Sequence, residues 1–302
     1  MGSGWSSGVF ELPRIDAVIY QSYLYPALLV YSFTLILAGV ILFDKEMRSF
    51  LYFQAVAAAL IENAISGLLR LPMLTEVNGF CIFQATVKIF TGMCMFMHLT
   101  VTGLVLPLLL PQNRSMLTRV NVPRVTRRII LAPYLIAAIL TFITYKAGKM
   151  GLSSDDIEDY CFVVAGNVFW STLDFYGWLG LFIFVTLGAV IYTTMQIVRQ
   201  NYSDGGVSKI PQRSKRMFLL PLVSAVTWIL PLVRRILQWN DVDLAPWWRD
   251  AHTVCYYLYT IGLGVTTMLN TQVMRKLVCV GPMMGVKGPE GEVNGHTAIE
   301  AV

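Results

Sequence analysis

Glu62, Arg70, Lys88, His98, Arg234 and Arg235 each interrupt a long run of apolar residues. An ionisable group so placed is costly unless it has a partner or a task. Two kinds of chemistry are open to such a set. A carboxylate and an ammonium at matching depth form an internal ion pair, and arginine forks near the mouth of a cavity grip phosphate or carboxylate. The five cysteines, Cys81, Cys94, Cys161, Cys255 and Cys279, show neither CxxC nor Cys/His metal spacing, so no metal site is expected. No His/Asp/Glu cluster points to nucleophilic or metal-assisted chemistry, and neither an enzymatic activity nor a cofactor is expected.

The runs that hold these residues set the fold class. The 302-residue chain is 56% hydrophobic and only 14% charged, too apolar for an ordinary soluble domain. Seven apolar stretches, at about 17–43, 50–72, 81–110, 129–147, 173–199, 217–238 and 252–273, have roughly the 20 residues a helix needs to cross a bilayer. The expectation is an all-α membrane protein, a seven-transmembrane helix bundle spanning 17–273, with an N-terminal segment 1–16 and a tail 274–302. Met1 to Arg14 lacks a basic segment followed by an apolar core, so the first span is expected to act as the targeting signal.

Basic residues orient the bundle. Lys45, Arg48, Arg114, Arg119, Arg124, Arg127, Arg128, Arg199, Lys209, Arg213, Lys215, Arg216, Arg275, Lys276 and Lys287 fall in alternate loops and the tail, against Arg14, Lys146, Lys149 and Arg249 on the other side. Fifteen against four places the tail in the cytoplasm and the N-terminus outside. The net charge of +5 therefore lies beside membrane ends, which suits anionic inner-leaflet lipid and excludes a nucleic-acid face. The sequons Asn113-Arg114-Ser115 and Asn201-Tyr202-Ser203 fall on the inner side, where they stay unmodified. Cys279 follows a short amphipathic stretch that is either a palmitoylated surface helix or a frayed helix end.

Depth within the spans then assigns partners. At a rise of about 1.5 Å per residue, Glu62 lies roughly 18 Å from the inner edge of span two and Lys88 roughly 10 Å below the outer edge of span three. In a core of about 30 Å these depths nearly coincide, so Glu62 and Lys88 are expected to form an intramembrane ion pair. Arg70, Arg234 and Arg235, near outer ends, either line an anion-binding mouth with Lys88 or snorkel to headgroups. His98 lies deep in span three, either packed or joined to Asn63 or Asn270. Cys81 and Cys161 both face the oxidising side, where a disulfide is expected. In span six, Pro221, Trp228 and Pro231 form a candidate switch, because proline removes a helix hydrogen bond and supplies a hinge or a static kink.

Four segments carry a family likeness: Cys81-Ile82-Phe83-Gln84, Tyr160-Cys161, Phe175-Tyr176-Gly177-Trp178, and Leu220-Pro221 through Trp228 to Arg235-Ile236. With them the chain resembles, over about 17–275, the cyclic-AMP-receptor family, class E of the G-protein-coupled receptors. It departs at Leu220, where the family usually has tyrosine, and only loosely follows the family's last-span pattern at Gly262-Leu263-Gly264 to Asn270. The resemblance implies a plasma-membrane receptor for an extracellular ligand that activates a heterotrimeric G protein. The ligand-binding set is then Arg70, Lys88, Arg235, Asp174 and His252, suited to a small anion such as a cyclic nucleotide. The G-protein-facing set is Arg119, Arg124, Arg127, Arg128, Lys209, Arg213, Lys215 and Arg216.

Two rival readings are weaker on the residues. A photoactive rhodopsin needs a Schiff-base lysine in the last span, and 252–273 contains none. A small-solute transporter built from repeats would place its Pro-Gln pairs equivalently. Pro111-Gln112 and Pro211-Gln212 do not occupy equivalent positions.

Overall fold

The computed structural model describes residues 14–69, 79–110, 113–152, 161–164, 167–203, 217–240, 242, 245, 247–270 and 273. Its helices are α1 Arg14–Phe43, the short α2 Lys45–Ser49, α3 Leu51–Leu68, α4 Gly79–Val105, the short α5 Arg114–Val120 and α6 Pro123–Lys146. They continue with α7 Val168–Ser171, α8 Gly177–Ser203, α9 Leu219–Trp239 and α10 Trp247–Met268. A π-turn, Thr172–Tyr176, joins α7 to α8 without a break, and a 3-10 turn, Leu106–Leu109, prolongs α4.

Six of the described helical segments are long and apolar enough to cross a membrane: Pro26–Phe43, Leu51–Leu68, Gly79–Leu109, Pro123–Lys146, Val168–Arg199 and Leu219–Trp239. The chain is therefore a multi-pass helical membrane protein. The segment expected as span seven is also helical, α10, but with its tyrosines, threonines, Arg249, Asp250 and His252 it is not among the six.

Small polar devices set the helix boundaries at the end with most basic residues. The Asp44 side chain accepts the Met47 N–H at 2.9 Å and caps α2. Pro123 opens α6, where its missing N–H costs nothing. The Asn121 side-chain oxygen accepts the Leu51 N–H at 3.0 Å, so the turn between α5 and α6 caps the start of α3.

Burial ranks the helices. In α4 and its 3-10 extension 78% of the apolar window is buried and in α3 72%, against 22% for both the α6 and the α7–α8 spans. Thus α3 and α4 form the centre, and α6 and α8 present most of their surface outward. α4 packs against α3, α6 and α8; α9 packs against α8 and α10; α10 and α3 both contact α1, which closes the bundle. α1 and α3 approach closely at Gly67, where a Cβ would run into the Tyr31 ring. Tyr52 of α3 donates to the Met217 carbonyl at 2.9 Å, tying α3 to the chain just before α9.

The loop after α6 contains a two-stranded antiparallel hairpin, β1 Met150–Leu152 and β2 Cys161–Val163, with Leu152 opposite Cys161. The sequence gives little warning of strands this short.

Candidate functional site

At the hairpin end, Cys81 and Cys161 form the expected disulfide, which pins β2 to the first turn of α4. Gln84, one turn along, reinforces it from both ends of its amide. The Gln84 oxygen accepts the Cys161 N–H at 3.0 Å, and its NH2 group donates to the Leu69 carbonyl at the end of α3. Gln84 was visible in the sequence only as part of a Cys-x-x-Gln motif, and its role as a second staple was not foreseen.

Below the hairpin the π-turn presents Asp174. Its side chain is fully buried, Thr144 of α6 donates to Oδ1 at 2.8 Å, and Oδ2 makes no hydrogen bond among the described residues. Such turns wedge an extra residue into a helix and recur at functional sites. Gly177 permits this one, because a Cβ there would meet the Thr172 carbonyl oxygen at 2.6 Å. Lys88 of α4 is buried. Arg235 of α9 is half-buried, donates from Nε to the Tyr176 hydroxyl at 3.0 Å, and sets its guanidinium 5.0 Å from the centre of that ring. Arg234, the less favoured pocket residue, is the more deeply buried of the two. Of the remaining ligand-set residues, Arg70 lies outside the described residues, as does the side chain of His252, whose backbone belongs to α10.

At mid-bundle an aromatic series crosses four elements. Phe162 of β2 meets Phe175 of the π-turn at 5.6 Å between ring centres. Phe175 meets Trp228 of α9 at 5.9 Å, and Trp228 meets Tyr259 of α10 at 5.4 Å. Phe96 of α4 fills the angle, 5.0 Å from Phe175 and 5.2 Å from Trp228. Trp228 is 2% exposed. Edge-on pairs of this kind add about 0.5–1.5 kcal/mol each beyond area burial. Pro231 stands inside α9, one turn beyond Trp228, and deprives the Thr227 carbonyl of its usual helix bond. Pro221 corrects an expectation. It falls in the first turn of α9, where the backbone N–H has no intrahelical partner to lose, so α9 has one interior proline rather than two hinge points.

Toward the other end lies a second correction. Glu62 of α3 pairs with His98 of α4, not with Lys88: the imidazole Nδ1 is 3.0 Å from the carboxylate, and both side chains are buried. Ten residues separate Lys88 from His98, about 15 Å along the helix, so one carboxylate cannot serve both. His98 Nε2 is 3.1 Å from the Ile130 carbonyl of α6, and Tyr134 of α6 directs its hydroxyl toward Glu62 with its ring 5.1 Å from the imidazole. The cluster thus joins α3, α4 and α6. Asn63 takes no part: its buried amide makes no hydrogen bond among the described residues. Tyr134 escaped the sequence reading because a tyrosine in an apolar run carries no distinguishing signal.

Arg119, Arg124, Arg127 and Arg128 are exposed at the end of α5 and the start of α6. Lys209, Arg213, Lys215 and Arg216 lie outside the described residues, as does Cys279 with the tail from 274 onward.

No protein-family model matches the chain, and no curated protein matches it in sequence.

Proposed function

We propose that this chain is a seven-span G-protein-coupled receptor of the plasma membrane, with α10 as its seventh span, its N-terminus outside and its tail in the cytoplasm. The observation that carries this reading is the aromatic series from Phe162 through Phe175 and Trp228 to Tyr259. It connects a disulfide-tethered hairpin to the helix that contains Pro231. A small anion bound beneath the hairpin, near Lys88, Asp174 and Arg235, changes the packing of Phe175 and so biases two arrangements of α8 and α9. The exposed arginines of α5 and α6 then meet an acidic G-protein surface. The likeness to the cyclic-AMP-receptor family supports the reading at the level of motifs.

A G-protein activation screen across cyclic nucleotides, sugars, amino acids and organic acids tests it. One class stimulates nucleotide exchange on the wild type, and Trp228→Ala abolishes that stimulation while ligand still binds. No stimulation by any class, with solute uptake into proteoliposomes instead, rejects the receptor. The transporter reading rests on one observation, the buried Glu62–His98 cluster, whose groups are of the kind that relay protons.

A further inference from the structure

Where α2 and α3 meet α5 and the start of α6, the bundle opens into a cleft of about 400 Å³. Arg48, Ser49, Gln54, Asn121 and Arg127 supply its polar side, and Ile130 and Leu131 its apolar wall. The cleft is a built feature. The Asn121 oxygen is committed to the Leu51 N–H, and Gln54 Nε2 donates to the Arg48 carbonyl at 2.6 Å, so two connecting segments are stitched together beside the arginines. The Asn121 NH2 group remains a donor. Arg48 and Arg127 are exposed, and neither forms an ion pair with a carboxylate among the described residues. Of the nearby acids, Asp44 caps α2 and Glu46 is exposed on the same short helix.

We propose that this cleft binds the phosphate-bearing headgroup of a membrane phospholipid. Two guanidinium forks and an amide donor match phosphate oxygens, and arginine is the side chain best shaped for that contact. The apolar wall decides between a lipid and a free phosphate. Leu131 is 50% exposed and Leu135, one turn further along α6, is 65% exposed, so the cleft continues into an apolar surface that acyl chains cover. A soluble phosphate makes no use of that surface. Basic pockets at a membrane helix end are suited to polyphosphorylated inositol lipids in particular. The assignment of leaflet rests on the orientation proposed above; the binding itself does not.

The test uses the full chain, without G protein, in nanodiscs of phosphatidylcholine containing a few mole per cent of a fluorescent phosphatidylinositol bisphosphate. Arg48→Gln and Arg127→Gln each weaken lipid binding roughly tenfold. Arg48→Lys, which keeps the charge and loses the fork, falls between, and Arg199→Gln, outside the cleft, leaves binding within about twofold. Thermal melts show that the variants remain folded. Equal weakening by Arg199→Gln and Arg48→Gln would overturn the site in favour of diffuse charge. Arginine-dependent binding of inorganic phosphate or soluble inositol trisphosphate, with no preference for the lipid over phosphatidylcholine, overturns the lipid as occupant. Nanodiscs expose both faces, so an inverted orientation leaves these results unchanged, and a failed receptor screen leaves them interpretable.

Discussion

Glu62 and His98 meet at 3.0 Å inside the bundle and link its two most buried helices, α3 and α4. Removing one partner of a buried ionisable pair leaves the other unsatisfied and costs about 3–5 kcal/mol. His98→Ala therefore lowers the melting temperature of the detergent-solubilised protein more than Glu62→Gln, which keeps a hydrogen-bonding group. The double variant Glu62→Ala/His98→Ala loses less than the two single alanines together. Strict additivity of the three melts would show that the contact carries no coupling energy.

The Cys81–Cys161 bridge closes a sequence separation of 80 residues. Loss of a disulfide over a loop of that size costs about 2–5 kcal/mol. Cys81→Ser and Cys161→Ser give matching drops in melting temperature and surface expression, and the double variant is no worse than either. A defect in one single variant alone argues against the bridge.

Gly67 is required by the Tyr31 ring of α1. Gly67→Ala overpacks that contact at a cost of about 1–3 kcal/mol, read as a lower melting temperature. Adding Tyr31→Leu recovers part of the loss. If Gly67→Ala melts like the wild type, α1 and α3 are not packed this closely.

The sequons at Asn113 and Asn201 report orientation. In the orientation proposed above both lie on the cytoplasmic side, and endoglycosidase then leaves the mobility of the wild type unchanged. The Asn113 side chain already donates to the Pro107 carbonyl at 2.8 Å. Asp155→Asn with Ile157→Ser creates a sequon in the opposite loop, and that variant gains a removable glycan. A glycan on Asn113 in the wild type would invert the bundle.

The spans were legible because apolar length is a local property, and six of the seven predicted stretches coincide with apolar helices. The disulfide was legible because it needed only sidedness. Pairing across helices was not. The count that matched Glu62 to Lys88 assumed that every span begins at the membrane edge. The helical stretch Gly79–Leu109 runs for 31 residues, well beyond the roughly 20 that a bilayer requires. A helix that long fixes no register by its ends, and the partner of Glu62 was set by side-chain packing among α3, α4 and α6 instead. The hairpin and the π-turn at Thr172–Tyr176 depend on contacts with α4 and α6, and neither leaves a periodic trace in the residues.

That π-turn also sets a rotational phase. It adds one residue to a turn, so the stretch before it is wound about 100° out of step with the stretch after it, relative to an uninterrupted α-helix. Deleting Phe175 would restore ordinary winding, swing Asp174 away from Thr144, and leave Phe182 against Phe96 and Thr186 against Gly103 of α4. The head of this span and its body are thus geared separately, and the one can be re-aimed without dislodging the other.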